Sequence, residues 1–284
     1  MDELEKGILP LLMGGLGNQM FIVSAGYIAH RVSNAPLYLL QNSVKNNDHN
    51  LKRRNYNRSI FKYIGQHLPF TSEAKYFIES LDYQEYCQGC EYNTTDMIDA
   101  DHPHKKWDPA NITPGTIMQH SYFQYYPPLK PFENDLRELY IKGLEEFRKD
   151  LKDYSDYAFL HIRRGDYLKE GYPIPTAEYY ATGVSTLKRK GVQKYVVLSD
   201  DIPWVKEQEY FKDPKFEIFE SDDELLAMAL MSKCTAGAIC ANSTFSWWGA
   251  FLGAHGVRAP VIVPKEWVRN RDLPDLCPEE WIRI

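Results

Sequence analysis

Arg163 and Arg164, followed by Gly165 and Asp166, are the residues of this chain best suited to gripping an anion. A guanidinium keeps its charge at any working pH, and its forked N–H groups fit phosphate or carboxylate oxygens. His161 adds a titratable ring two residues earlier. Burying guanidinium without a partner is costly, so the pair reads either as a holder of a phosphorylated small molecule or as one side of a salt bridge to Asp166. A second group is rich in hydroxyls, Asn242-Ser243-Thr244-Phe245-Ser246. Hydroxyls beside the unpaired amides of a helix start suit phosphate, whereas N-capping alone needs only one of them. Trp247 and Trp248, which follow, read as helix-packing residues. A third group is the glycine run Gly14-Gly15-Leu16-Gly17-Asn18-Gln19, which lacks both the third glycine of a dinucleotide fingerprint and the Lys-Ser/Thr of a P-loop. It is either a tight turn or a place where a ligand nears the backbone, with Asn18 offering a donor and an acceptor. In Leu198-Ser199-Asp200-Asp201 the carboxylates either accept from ribose or base groups or cap the next helix.

These groups act together only if strands deliver them to one edge. In the C-terminal half, apolar runs predict strands at 157–162, 195–199, 216–219, 237–241 and 260–263, with helices at 177–190, 222–233 and 243–253. Strands alternating with helices imply a parallel, doubly wound sheet, whose ligands bind at the carboxyl edge. The N-terminal half opens as one βαβ unit: a strand from Ile8 to Met13, the glycine loop, a helix from Met20 to about Arg31 and a strand over 36–40. From Gln41 to about Thr116 the pattern weakens, and Lys45 to Arg58 and His102-Pro103-His104 read as solvated loop. Helical periodicity returns over 134–147, and the charged run Arg148-Lys149-Asp150 marks the boundary between halves.

At 284 residues, 44% hydrophobic and 25% charged, the chain can bury a full core as one large domain or two small ones. A formal charge of −6 argues against a general nucleic-acid binder. The acidic start, Met1 to Lys6, lacks the basic-then-apolar order of a signal peptide, and no apolar run approaches the ~20 residues of a membrane span. Five scattered cysteines favour a reducing compartment. A cytoplasmic setting follows, peripheral to a membrane where the substrate is membrane-borne. There the sequons at Asn57, Asn93, Asn111 and Asn242 are chance matches, and Arg164-Gly165-Asp166 is part of a sheet-edge motif, not an adhesion triplet. No metal site is expected. Cys87-x-x-Cys90 has no second pair, and Asp99-Ala100-Asp101 lies in weakly patterned polar sequence. Arginines and helix amides then have to neutralise any diphosphate themselves.

At these residues the chain resembles the α-1,2-fucosyltransferase family, inverting enzymes that use GDP-fucose. The resemblance rests on Gly-Gly-Leu-Gly-Asn-Gln-Met-Phe (14–21), His-Ile-Arg-Arg-Gly-Asp-Tyr (161–167) and Asn-Ser-Thr-Phe-Ser-Trp-Trp-Gly-Ala (242–250). Weaker echoes are Tyr122-Phe123-Gln124, Leu198-Ser199-Asp200-Asp201 and Pro264-Lys265-x-Trp267. The resemblance implies an α/β, GT-B-like fold of two Rossmann-like halves facing a cleft, residues 1–150 mainly acceptor-facing and 151–284 holding GDP-fucose. It implies a galactoside or glycan acceptor and no cofactor beyond GDP-fucose as donor substrate. Arg163 is then expected to bind the diphosphate, with Arg164 assisting or structural, and His161 to contact the nucleotide. Ser243, Thr244 and Ser246, between Asn242 and Phe245, are expected to hold phosphate oxygens. Gly15, Gly17, Asn18 and Gln19 close over phosphate and fucose, and Ser199 and Asp200 join the donor set. Related fucosyltransferases tend to carry an acid in the helix before the Asn-Ser-Thr segment, where it reads guanine. Here 225–231 holds none, so Asp222, Asp223 or Glu224 substitutes or the base is read otherwise. Among carboxylates near the arginines, Asp166 and then Glu170 are the expected bases, Asp166 having the other reading of orienting an arginine. The expected reaction is transfer of L-fucose to a galactose hydroxyl, O2, with inversion. A transferase for another nucleotide sugar and an inactive nucleotide- or glycan-binding module are the alternatives.

Overall fold

The computed structural model describes residues 5–40, 54–68, 84–86, 106–118, 121–254, 259–269 and 271–284. The chain divides into two compact units, Met1–Gly143 and Leu144–Ile284, each of them α/β.

The N-terminal unit contains β1 (Ile8–Pro10), α1 (Leu16–Ser33), β2 (Tyr38–Leu40), β3 (Gln66–Leu68), β4 (Gln84–Tyr86) and β5 (Thr116–Met118). β5 lies between β1 and β4 and runs parallel to both, β2 pairs in parallel with β3, and an Ile8–Leu37 bridge ties the two sets together. Helix α1 starts at Leu16, four residues before the expected Met20. The amides of a first turn have no intrahelical partner, so Gly17 costs little there. Met20, Phe21, Ile22 and Val23 are all fully buried, so this turn of α1 is enclosed on every side. Tyr140 locks it by donating from Oη to the Met20 carbonyl at 2.9 Å. Tyr140 belongs to α2 (Glu133–Arg148), which carries the chain across the division between units.

The C-terminal unit follows the expected alternation closely. It contains β6 (Tyr157–Ile162), the short α3 (Tyr167–Glu170), α4 (Ala177–Arg189), β7 (Lys194–Ser199), α5 (Ile202–Glu207), β8 (Phe216–Ile218) and α6 (Glu224–Met231). Then come β9 (Gly237–Ile239), α7 (Thr244–Gly253), β10 (Val261–Val263), the pair β11 (Glu266–Val268) and β12 (Arg271–Asp272), and β13 (Ile282–Arg283). Six strands form one parallel sheet in the order β13-β10-β9-β6-β7-β8. The chain runs outward from β6 through β7 to β8, then returns to place β9 on the other side of β6. The carboxyl ends of β6 and β9 therefore flank the point where the winding reverses, the position at which open α/β sheets bind ligands.

Leu160 and Ile162 point to one face, into a core with Tyr180, Val184 and Leu187 of α4. His161, between them, points to the other. On that second face α7 lies hard against α6: a Cβ on Gly249 would sit 2.6 Å from Met231 Sδ, and one on Gly253 only 2.3 Å from the Met231 carbonyl oxygen. Trp247 and Trp248 are fully buried, as expected of packing residues, and Trp247 Nε1 donates to the Leu276 carbonyl at 3.0 Å.

Candidate active site

Strand β6 ends at Ile162, directly opposite Ser199 of β7, so the loops holding the arginines and Asp200-Asp201 leave the sheet side by side. Their charges interlock. Arg163 pairs through Nη2 with the Asp166 carboxylate at 2.7 Å and through Nη1 with Asp200 Oδ2 at 3.0 Å. Burial works against its charge, but Asp200 and Asp166 outweigh that, and its pKa rises. Arg164 donates from Nε to Asp201 Oδ2 at 3.1 Å and stacks on Trp204, its guanidinium carbon 3.8 Å from the ring centroid. Its cation is thus engaged on two sides. Asp200 Oδ1 accepts from the Arg164 amide at 2.8 Å, and a Cβ on Gly165 would lie 2.7 Å from Asp200 Oδ2. A side chain there would push the Asp200 carboxylate from its place. Asp201 also caps α5 by accepting from the Trp204 amide at 3.2 Å, while Ser199 Oγ accepts from the Asp201 amide at 3.0 Å. Both Asp200 oxygens thus hold the arginine loop. Asp166 is paired with Arg163, and Glu170 is exposed at the end of α3.

The loop after β9 is held differently. Asn242 is buried, and its amide donates to the Pro173 carbonyl at 2.9 Å and the Trp267 carbonyl at 3.0 Å. Ser243 caps α7 by accepting from the Phe245 amide at 3.3 Å. Ser246 is fully buried and its hydroxyl donates to the Ala241 and Ser243 carbonyls, both at 3.1 Å. This corrects the expectation that Ser246 holds phosphate: it braces the turn, leaving Ser243 and Thr244 at the accessible start of α7. Tyr167, absent from the expected site, joins the two loops. Its hydroxyl donates to the Asn242 carbonyl at 2.8 Å and its ring lies 5.4 Å from the Arg163 guanidinium carbon. His161 sits beneath, its ring 5.5 Å from Phe245. Burial first, and the Arg163 charge second, depress its imidazole to about 3, so it is neutral at any physiological pH.

At the start of α6, Asp223 caps the helix through the Leu225 amide at 2.9 Å, Asp222 is exposed and Glu224 is half-buried. The register of the expected guanine-reading acid falls on Ala227, half-buried, or Met228, fully buried. A separate cavity of about 380 Å³ opens beside Pro173 and Glu266, with Ile174, Pro175 and Pro264 in its lining. Its lining includes Glu178, Lys265 and Glu266 but no arginine.

In the N-terminal unit, Gly14 adopts φ 74° and a Cβ there would meet Asn18 Nδ2 at 2.7 Å. Gly15 caps α1 without a side chain. Asn18 Oδ1 accepts from Gln124 Nε2 at 3.1 Å. Gln19, expected to reach the donor, is corrected: it is fully buried and donates to the Gly14 and Arg54 carbonyls, each at 3.0 Å. Phe123, beside Gln124, is held at φ 53° against Trp107, a backbone strain that accompanies functional loops. The three weaker echoes thus each support a stronger motif: Gln124 the glycine loop, Asp200-Asp201 the arginines, and the Trp267 carbonyl Asn242.

Cys87, Cys90, Asn93, Asp99, Asp101 and residues 102–104 lie outside the described residues. Among the described residues no three His, Cys, Asp or Glu side chains are grouped to hold a metal, and no helix is long and apolar enough to cross a membrane.

Comparison with known proteins points one way. The profile of Glycosyl transferase family 11 matches residues 111–283. The chain is 26% identical to an alpha-1,2-colitosyltransferase of Escherichia coli, over 98% of either chain. It is 25% identical to the O-antigen biosynthesis glycosyltransferase WbnK of Escherichia coli, over 96% of this chain and 99% of that one. Among solved structures it is similar in fold to POFUT1 in complex with GDP-fucose, with a TM-score of 0.50 at 14% identity, covering 93% of this chain and 99% of that one. The GT-B-like α/β class expected from the sequence is borne out.

Proposed function

From the premise that the chain belongs to glycosyl transferase family 11 and is a glycosyltransferase, we propose that it moves L-fucose from GDP-β-L-fucose to O2 of a galactose-containing glycan, with inversion. The observation that carries this reading is the placement of Arg163 and the start of α7 on either side of the winding reversal in one parallel sheet. In the reaction the acceptor oxygen forms a bond to the anomeric carbon from one face while the bond to the β-phosphate oxygen breaks on the other. A single displacement of that kind inverts the centre. The departing diphosphate gains charge, and the barrier falls most where that charge is met by fixed donors. Arg163 and the Ser243-Thr244 helix start are those donors, doing without a metal. Arg164 and Asp201 hold the loop, and Phe245, packed on buried neutral His161, lies against the nucleotide. Gly15, Gly17 and Asn18 are assigned to the donor by resemblance. The acceptor proton goes to Asp166, with Glu170 the second choice.

A second reading is favoured by the colitosyltransferase relative: colitose is fucose without its 3-hydroxyl. A site that hydrogen-bonds that hydroxyl would reject the analogue by about 10⁴–10⁵, whereas one that leaves it in solvent would accept both. The test incubates the protein with GDP-fucose, GDP-colitose, or UDP- and ADP-sugars and a panel of galactosides, then determines product linkage by NMR. The reading expects an α-1,2-linked product with release of GDP. Turnover confined to UDP- or ADP-sugars, or donor binding with neither transfer nor hydrolysis, would overturn it.

A further inference from the structure

The ion pairs around Arg163 raise a question of charge. Two arginines face three aspartates, Asp166, Asp200 and Asp201, an excess of one negative charge where a diphosphate is to bind. A dianion or trianion placed against that set is repelled unless a carboxylate leaves the arginine.

The two carboxylates on Arg163 are not equally held. Asp200 is fixed from two sides, by the Arg164 amide at 2.8 Å and by Arg163, in a space left open by the missing Cβ of Gly165. Among the described residues, the Asp166 side chain pairs with Arg163 alone, three residues away in sequence, and is the more exposed of the two, 35% against 23%. Although Asp166 precedes α3, its backbone is helical (φ −67°, ψ −30°) and its side chain caps no amide, so the helix does not retain it.

We propose that donor binding is a carboxylate exchange: the diphosphate replaces Asp166 on Arg163, Asp200 stays as the positioning residue that aims the guanidinium, and the freed Asp166 becomes the base for the acceptor. This rests on the reading of the site as a diphosphate holder. The balance is simple. Arg163 gives up one carboxylate and gains phosphate oxygens, and the released Asp166 carboxylate takes the hydroxyl proton as the new glycosidic bond forms.

The exchange makes opposite predictions for two neighbouring positions. Asp166→Asn removes the competitor, so GDP binds about three- to tenfold tighter by calorimetry while transfer slows by about 10² or more. Gly165→Ala keeps every charge but pushes Asp200 from its place, so GDP binds about three- to tenfold weaker, with the melting temperature recorded to confirm folding. Inorganic pyrophosphate follows the same order, because the exchange concerns the diphosphate and not the base. Equal or weaker GDP binding by Asp166→Asn, or unchanged binding by Gly165→Ala, overturns the exchange while leaving the site a diphosphate holder. Failure of the unaltered protein to bind either GDP or pyrophosphate overturns both.

Discussion

The two loops that flank the winding reversal are built on opposite principles. The loop after β6 is charged and partly exposed, and is held by ion pairs among side chains that a ligand can replace. The loop after β9 is neutral and buried, and is held by Asn242 and Ser246 side chains on backbone carbonyls that no ligand can replace. Exposed ion pairs contribute little to stability, whereas a buried donor removed from its acceptor costs about 1–3 kcal/mol. The charged loop is therefore the part that adapts to the donor, and the neutral loop the part that keeps the helix start in place while it does.

Substitutions should separate the two. Arg163→Ala is expected to lower the transfer rate by about 10²–10³, with little change in melting temperature, because it removes a donor to the departing diphosphate and breaks only part-exposed pairs. Asn242→Ala is expected to do the reverse. It leaves the buried Trp267 carbonyl and the part-buried Pro173 carbonyl without the Asn242 donor, at about 1–3 kcal/mol for the buried one, and should lower the melting temperature by several degrees. A thermally unchanged Asn242→Ala would erase the distinction between the loops.

His161 lies where the loops meet, and its buried neutral ring links stability to pH. Its folded pKa of about 3 is below the ordinary His value, so the unfolded chain binds the extra proton between the two. Stability is then full above about 6.5 and falls as the pH drops towards about 3, by at most ~1.4 kcal/mol per pH unit from this group. Denaturant melts of His161→Phe should show a shallower acid decline, and an identical slope would contradict the neutral ring. The smallest expected effect is that of a chelator: with arginines in the charged loop meeting the diphosphate, EDTA should leave the transfer rate unchanged.

Much of the charged loop's position was legible in the sequence, and little of its wiring. The strand 157–162 was read at its observed bounds because a parallel strand buried on both faces is a continuous apolar run. The partners of the arginines were not legible, since Asp200 and Asp201 lie about forty residues on and only the β6–β7 register brings them close. Direction of a side chain was also hidden. Gln19 and Ser246 sit inside motifs that read as ligand-facing, yet both turn inward to carbonyls. The early start of α1 was missed because glycine argues against a helix interior, an argument that lapses in the first turn. Tyr167 carried a signal, as the last residue of the arginine motif, whereas Trp204 carried none.

The central claim, that a nucleoside diphosphate is gripped between Arg163 and the start of α7, is tested most directly by a crystal structure of the protein with GDP. The account predicts diphosphate oxygens within hydrogen-bonding distance of the Arg163 guanidinium and of Ser243 or Thr244, with Asp166 turned away and Asp200 in place. GDP bound elsewhere, with Arg163 still paired to both Asp166 and Asp200, would contradict it.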